Sequence, residues 1–182
     1  MPSPVGHALI GLTAANVVLK RKLYESVVWM LFVIFAANAA DLDFLPGWIL
    51  GDINRFHHGI SHSIGIAFIF ASLCAITARM FTRQCKLVFL LALILYLSHL
   101  LADYLGVDVV EPYGAPFLWP FSHEYFLAPV QLFQAVEHGN IGETPLTVFD
   151  KIFSVKNVIA VCVEAIILIP IWGITLWISR RG

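Results

Sequence analysis

The sequence predicts an all-α fold, a polytopic membrane helix bundle of four to five transmembrane helices with an interfacial cap on its outer side. Three observations predict it. The 182-residue chain is 59% hydrophobic and 13% charged, with a mean hydropathy of +0.84, whereas soluble domains are about half apolar and a quarter charged. A core of this size could not hide so much apolar surface from water, so the bilayer is the expected solvent. The apolar residues gather into runs of spanning length, and the basic residues are confined to alternate gaps between those runs. At this length a single integral-membrane domain over residues 1–182 is expected.

Taken in order, segment 4–19 (PVGHALIGLTAANVVL) reaches about 24 Å as a helix, enough to cross obliquely or to dip into the membrane. Pro4 suits its first turn. Apolar runs follow at 26–40, 63–80, 86–102 and 157–178. A spanning helix needs about 17–25 residues. The last three runs meet that length, and the first does so with Tyr24 and the Asp41 end included. Segment 104–156 is rich in Pro, Gly and aromatic residues (EPYGAPFLWPFSHEYFLAPV). Its Trp119, Phe121, Tyr125 and Phe126 suit a cap resting at headgroup level.

Lys20, Arg21, Lys22, Arg79, Arg83, Lys86, Arg180 and Arg181 are eight of the 11 basic residues. The intervening segments, 41–60 and 104–156, hold only Arg55, Lys151 and Lys156, together with most of the acid. Basic loops stay in the cytoplasm, so the acidic segments are expected outside. The expected location is the cytoplasmic (inner) membrane of a bacterium or archaeon, multi-pass, with a cytoplasmic C-terminus. The opening MPSPVGHALIGL lacks the basic region of a secretory signal. Cys74, Cys85 and Cys162 lie in or beside apolar runs, with no zinc-knuckle or redox spacing. No basic run interleaved with aromatics suggests nucleic acid, so membrane lipid is the expected partner.

On this topology the chemistry-bearing residues fall at one level. His7 is near the outer end of 4–19. Asp41 and Asp43 (ADLDF) end the next run, and His57, His58 and His62 (RFHHGISHS) precede the one after. His99 and Asp103 (SHLLAD) stand four residues apart, on one face of a helix. Each motif has a bland reading. A lone buried His usually bonds a backbone carbonyl, D-x-D can be a helix end, and the His99/Asp103 pair can be a hydrogen bond between helices. His7 alone is evenly balanced between the two readings. His123 and His138 read as solvated loop residues. Glu164, about 10 Å from the outer end of the last helix, reads as a proton acceptor behind the site or as a partner between helices. Co-localisation is what lifts the set, since ionisable groups within a membrane mark function.

Imidazole with carboxylate suits zinc first, with manganese or iron as alternatives. Three or more His and two or three Asp exceed the needs of one ion, so two or more ions are expected. The carboxylates of D-x-D can bridge two metals, or hold one and orient a water.

The ordered set resembles the YdjM-like family, described as LexA-regulated, membrane-bound metal-dependent hydrolases. The matching residues are His7, DLD at 41–43, HHGISHS at 57–63, HLLAD at 99–103 and YGAPFLWPF at 113–121. The likeness runs from residue 7 to about 121. It implies His7, Asp41, Asp43, His57, His62, His99 and Asp103 as the metal-site residues. One departure stands out: His58 occupies the place of the family's usual Arg, a residue type suited to holding a phosphate or an anionic intermediate. His58 can do so when protonated, or can join the metals.

The expected function is therefore a metal-dependent hydrolase at the outer membrane face. Metal-activated water would be the nucleophile, with Asp41, Asp43 or Glu164 as proton acceptor and His58 at the substrate. A lipid phosphoester or another amphiphilic ester is the natural substrate class. The rival reading is a non-enzymatic membrane protein with a structural or sensory metal cluster. A transport path is poorly supported, because below the outer level only Glu164, Asn16 and a few Ser and Thr are polar.

Overall fold

The computed structural model describes residues 1–19, 23, 26–109, 111–139, 143 and 145–181. Lys20, Arg21, Lys22 and Tyr24, used above to judge topology and span length, lie outside the described residues. The described chain forms α1 (Pro4–Leu19), α2 (Val27–Ala37), α3 (Phe44–Ile49), α4 (Ile64–Ala78), α5 (Cys85–Tyr104), α6 (Pro145–Ile152) and α7 (Val155–Arg181). Short 3₁₀ turns at Ala40–Asp43 and Ile60–His62 precede α3 and α4. Among the described residues there is no strand, only isolated bridges such as Ala115 with Phe126.

Local chemistry sets the helix starts. The Ser3 hydroxyl accepts from the Gly6 amide at 3.1 Å, ahead of Pro4 in the first turn. Ser26 accepts from the Trp29 amide and Ser63 from the Ile66 amide. The first long apolar run does not continue to residue 40 as one helix. Asn38 caps α2, its side-chain amide donating to the Ile34 carbonyl at 2.9 Å, and the chain bends into the 3₁₀ turn that carries Asp41 and Asp43.

α5 (20 residues) and the stretch Leu146–Ser179, which runs through α6 and α7, are long and apolar enough to cross a bilayer. α2 with Ala40–Ile49, bent by 59°, forms a third candidate, while α1 and α4 are apolar but shorter. Segment 104–156 is not wholly irregular, since α6 forms within it.

α1 and α5 lie at the centre. α1 packs on α2, α5 and α7, and α5 also packs on α2 and α4. The buried side of α5 carries Val88, Leu91, Ala92, Leu95, Tyr96, His99, Leu100 and Asp103, a stripe at helical period. Small residues allow close crossings: a Cβ on Gly11 would stand 2.5 Å from that of Ala37. Across α1 and α7 the Asn16 amide donates to the Thr175 hydroxyl at 2.9 Å, a polar link of the kind that joins helices in lipid. This packing sets the starts of α1 and α4 beside the ends of α2 and α5.

Candidate metal centre

His99 and Asp103 occupy the last turn and a half of α5, and His99 is 1% and Asp103 4% exposed. The Nδ1 of His99 lies 2.8 Å from the Ala37 carbonyl. A carbonyl only accepts, so Nδ1 carries the proton and Nε2 presents its lone pair. His62, fully buried, is oriented in the same sense. Its Nδ1 is 3.2 Å from Asp43 Oδ2 and 3.1 Å from the Ser61 hydroxyl, which itself donates to Asp43 at 2.6 Å. Its Nε2 is thereby left to face the Nε2 of His99 at 3.3 Å.

Carboxylates complete this arrangement. Asp103 Oδ2 stands 3.0 Å from His99 Nε2 and 3.3 Å from His62 Nε2. Asp41 Oδ1 stands 3.5 Å and 3.6 Å from the same atoms. Both oxygens of Asp41 and both of Asp103 are buried without a hydrogen-bond partner. Two lone pairs and two carboxylates converging in this way repel unless a cation lies among them. The separations of 3.0–3.6 Å fit the edge of a tetrahedron of zinc ligands, about 3.4 Å for ligand distances near 2.1 Å. The residues present therefore fit a divalent metal. The electrostatics agree. Burial opposes a charge on His62, but Asp103, Asp41 and Asp43 outweigh it and raise its pKa well above 6.5.

Two further groups adjoin the first. Asp41, Asp43 and His57 can offer ligand atoms to one point, and so can His57, His58 and His62. Asp43 is the link, bonding Nδ1 of His57 at 3.1 Å as well as His62. Burial pushes the pKa of His57 down to about 3, so it is a neutral imidazole at physiological pH, as a ligand must be. His7 joins from α1: its Nε2 is 3.2 Å from Asp103 Oδ1, and its ring stacks on His99 at 3.8 Å. All seven residues of the implied ligand set thus gather in one place.

Other expectations need correction. His58 was expected to hold an anion when protonated or to join the metals, and His57, His58 and His62 do converge. The His58 Nδ1 lies 3.0 Å from Asp108 Oδ2, and its Nε2 is buried without a hydrogen-bond partner. Its backbone has φ 57°, in the left-handed region that His tolerates better than most residues. Glu164 does not stand among the convergent groups and instead takes the other role expected of it, a partner between helices. One oxygen accepts from the Ser3 amide at 2.9 Å and the other from the Ser3 hydroxyl, so it anchors α7 to the start of α1. His138 is not remote, because its ring is 5.8 Å from that of His57, and burial lowers its pKa to about 4. His123 is exposed.

A cavity of about 380 Å³ opens on His57 and His58. Its walls come from 107–109, Glu111, Pro112, Ala135, Val136 and His138, with Tyr125 contributed by the aromatic cap expected as a roof. Phe117 and Trp119 of that roof lie instead over the start of α4, their carbonyls accepting from the amides of Ile64 and Gly65. The sequence reading missed Asp108, Ser61 and Tyr96, whose hydroxyl donates to the Ser61 carbonyl at 2.8 Å. Asp108 was visible only as loop acid, since its contact with His58 closes across 50 residues of chain.

Helices this apolar around a buried His/Asp cluster define a membrane protein with a candidate metal centre. The chain belongs to the family of YdjM inner membrane proteins, whose pattern matches residues 1–180. It is similar to the inner membrane protein YbcI of Escherichia coli (strain K12), with 29% identity over 141 residues, covering 72% of this chain and 75% of the relative. No solved structure matches.

Proposed function

We propose that this protein is a membrane-embedded, metal-dependent hydrolase acting at the outer face of the membrane on a lipid phosphoester or another amphiphilic ester. The observation that carries the reading is the facing pair of Nε2 lone pairs on His62 and His99 among the unpartnered oxygens of Asp41 and Asp103. Asp41, His62, His99 and Asp103 would hold one divalent ion, zinc first, with His7 beside them. Asp41, Asp43 and His57 would hold a second. When bound, such ions act as Lewis acids and lower the pKa of water toward neutrality.

The chain's own residues do the rest. Asp43 fixes the rings of His57 and His62, and the Ala37 carbonyl fixes His99. These contacts set the tautomers that ligation requires. Asp108 holds the His58 ring at the cavity wall, where His58 can take a proton from the attacking group or position the substrate. The cavity admits a polar headgroup while the apolar helices keep the tail in lipid. In this reading α1, α2, α4, α5 and α7 make four to five crossings, with 104–156 as the outer cap.

One observation favours a second reading. His7, His62, His99 and Asp103 are at most 4% exposed, and a fully enclosed ion is typical of structural sites. A structural or sensory metal cluster then replaces the hydrolase. Metal analysis of detergent-purified protein, combined with turnover of a chromogenic phosphodiester in lipid vesicles, separates the two. Bound metal with turnover that disappears in His58→Ala supports the hydrolase. Bound metal with no turnover of lipid phosphoesters or carboxylic esters supports the second reading. Protein that binds no metal overturns both.

A further inference from the structure

At the end of the bundle remote from the His/Asp cluster, α2 and α4 both pack on α5 yet scarcely touch each other. Their rings meet at Phe35 and Phe70, 6.1 Å between centroids, and from there the two helices leave a groove with α5 as its floor. The groove holds a cavity of about 710 Å³, walled by Trp29 and Phe32 on one side and Leu73 and Thr77 on the other, with Val88 beneath. That size is typical of small-molecule sites, and the lining is apolar apart from Thr77 on the wall and Thr82 and Gln84 at its open end.

The open end is where the charge lies. Arg79 and Arg83 stand on the turn between α4 and α5 and Lys86 in the first turn of α5, and all three are exposed. From residue 53 to residue 102 the sequence contains no Asp or Glu. The lysine–carboxylate pairs among the described residues, Lys151 with Glu143 and Lys156 with Glu137, belong to segment 137–156. α5 also begins at Cys85 without a side-chain cap, so the positive end of its dipole adds to the same field. The apolar trough ends at Thr82 and Gln84, with Arg79, Arg83 and Lys86 beside them in a stretch, 53–102, that holds no acid. A solvated basic loop explains the charges but not the trough, and packing against bulk lipid tails explains the trough but not the charges.

We propose that this groove is a binding site for one anionic phospholipid, its acyl chain lying between α2 and α4 and its phosphate held by Arg79, Arg83 and Lys86. The site is separate from the His/Asp cluster and does not depend on the hydrolase reading. A lipid seated there fills the gap between two helices that share only α5, and so braces α2, which leads into the 3₁₀ turn bearing Asp41 and Asp43.

Trp29 lines the groove and serves as the probe. Lipid-stripped protein in non-ionic detergent is titrated with phosphatidylglycerol carrying brominated chains, and separately with phosphatidylcholine carrying the same chains. Quenching of Trp29 emission, taken as the difference between wild type and Trp29→Phe, is expected at least about tenfold lower in phosphatidylglycerol concentration, since each basic residue near a lipid surface contributes roughly fivefold. The triple variant Arg79→Gln/Arg83→Gln/Lys86→Gln is expected to lose the preference while keeping its unfolding temperature. Thr77→Phe, which fills the groove and leaves the charges in place, is expected to weaken quenching by both lipids. Equal quenching by the two lipids, a preference that survives the triple variant, or no Trp29 quenching at all would overturn the site.

Discussion

At the scale of single residues, the cluster is a set of acceptors that needs positive charge, and protons compete with metal for it. In the metal-free protein the three surrounding carboxylates hold the His62 pKa well above 6.5, so a metal binding at neutral pH must displace that proton. Metal affinity is then lost as pH falls. The expected slope is about tenfold per pH unit for one displaced proton, read by competition with a chelating dye between about pH 6 and 8. A pH-independent affinity would mean that His62 is not a ligand. Asp103→Ala removes the carboxylate that touches His7, His62 and His99 together, and is expected to abolish metal content measured by elemental analysis. Asp108→Asn acts one step further out. It leaves the inner cluster intact and weakens the hold on His58, for an expected loss of about 10–100-fold in activity.

At the scale of elements, function depends on how closely the helices approach. Gly11 lets α1 cross α2 at Ala37, whose carbonyl fixes the His99 tautomer. Gly11→Ala places a Cβ 2.5 Å from that of Ala37, and overpacking of this kind costs about 1–3 kcal/mol. A lower unfolding temperature in detergent, accompanied by weaker metal retention, is the expected outcome; an unchanged protein would show that the crossing relaxes freely. Much of the element pattern was legible in the sequence. Ser26 and Ser63 mark the starts of α2 and α4, and the four-residue spacing of His99 and Asp103 put both on one face of α5. The break after Ala37 had one sign in the sequence, Asn38, a residue type that often follows a last helical turn, but the apolar residues continue past it to Ala40. Glu164 illustrates a different limit. Its burial was foreseeable from an acid in an apolar helix, but its partner is set by Ser3, 161 residues away, and no spacing rule reports that contact. His138 was misjudged for the same reason, as loop position says nothing about which ring it will lie against.

At the scale of the whole molecule, the distribution of charge and the placement of the site make one claim about orientation. The ordered set His7, Asp41/Asp43, His57/His62 and His99/Asp103 could be grouped from the sequence because helix ends alternate between two levels, and the described helices bring those ends together. The groove with its three cations lies at the opposite end, so the molecule has an acidic, imidazole-rich pole and a basic pole. Lys and Arg near spanning segments are retained in the cytoplasm. The described residues at the basic pole are Arg79, Arg83, Lys86 and the end of α7, where the Arg181 guanidinium lies 3.7 Å over the Trp177 ring, as suits an interfacial anchor. A fluorescent reporter that matures only in the cytoplasm, fused after residue 182, is therefore expected to glow, while an alkaline phosphatase fused at the same point stays inactive. A cysteine placed at exposed Leu50, on the site side, is expected to react in intact cells with a membrane-impermeant maleimide, and one placed at Met80 is expected to react only after the membrane is permeabilised. If the labelling pattern reverses, the cluster faces the cytoplasm and its substrate must be sought in the inner leaflet, even though every distance within the site is unchanged.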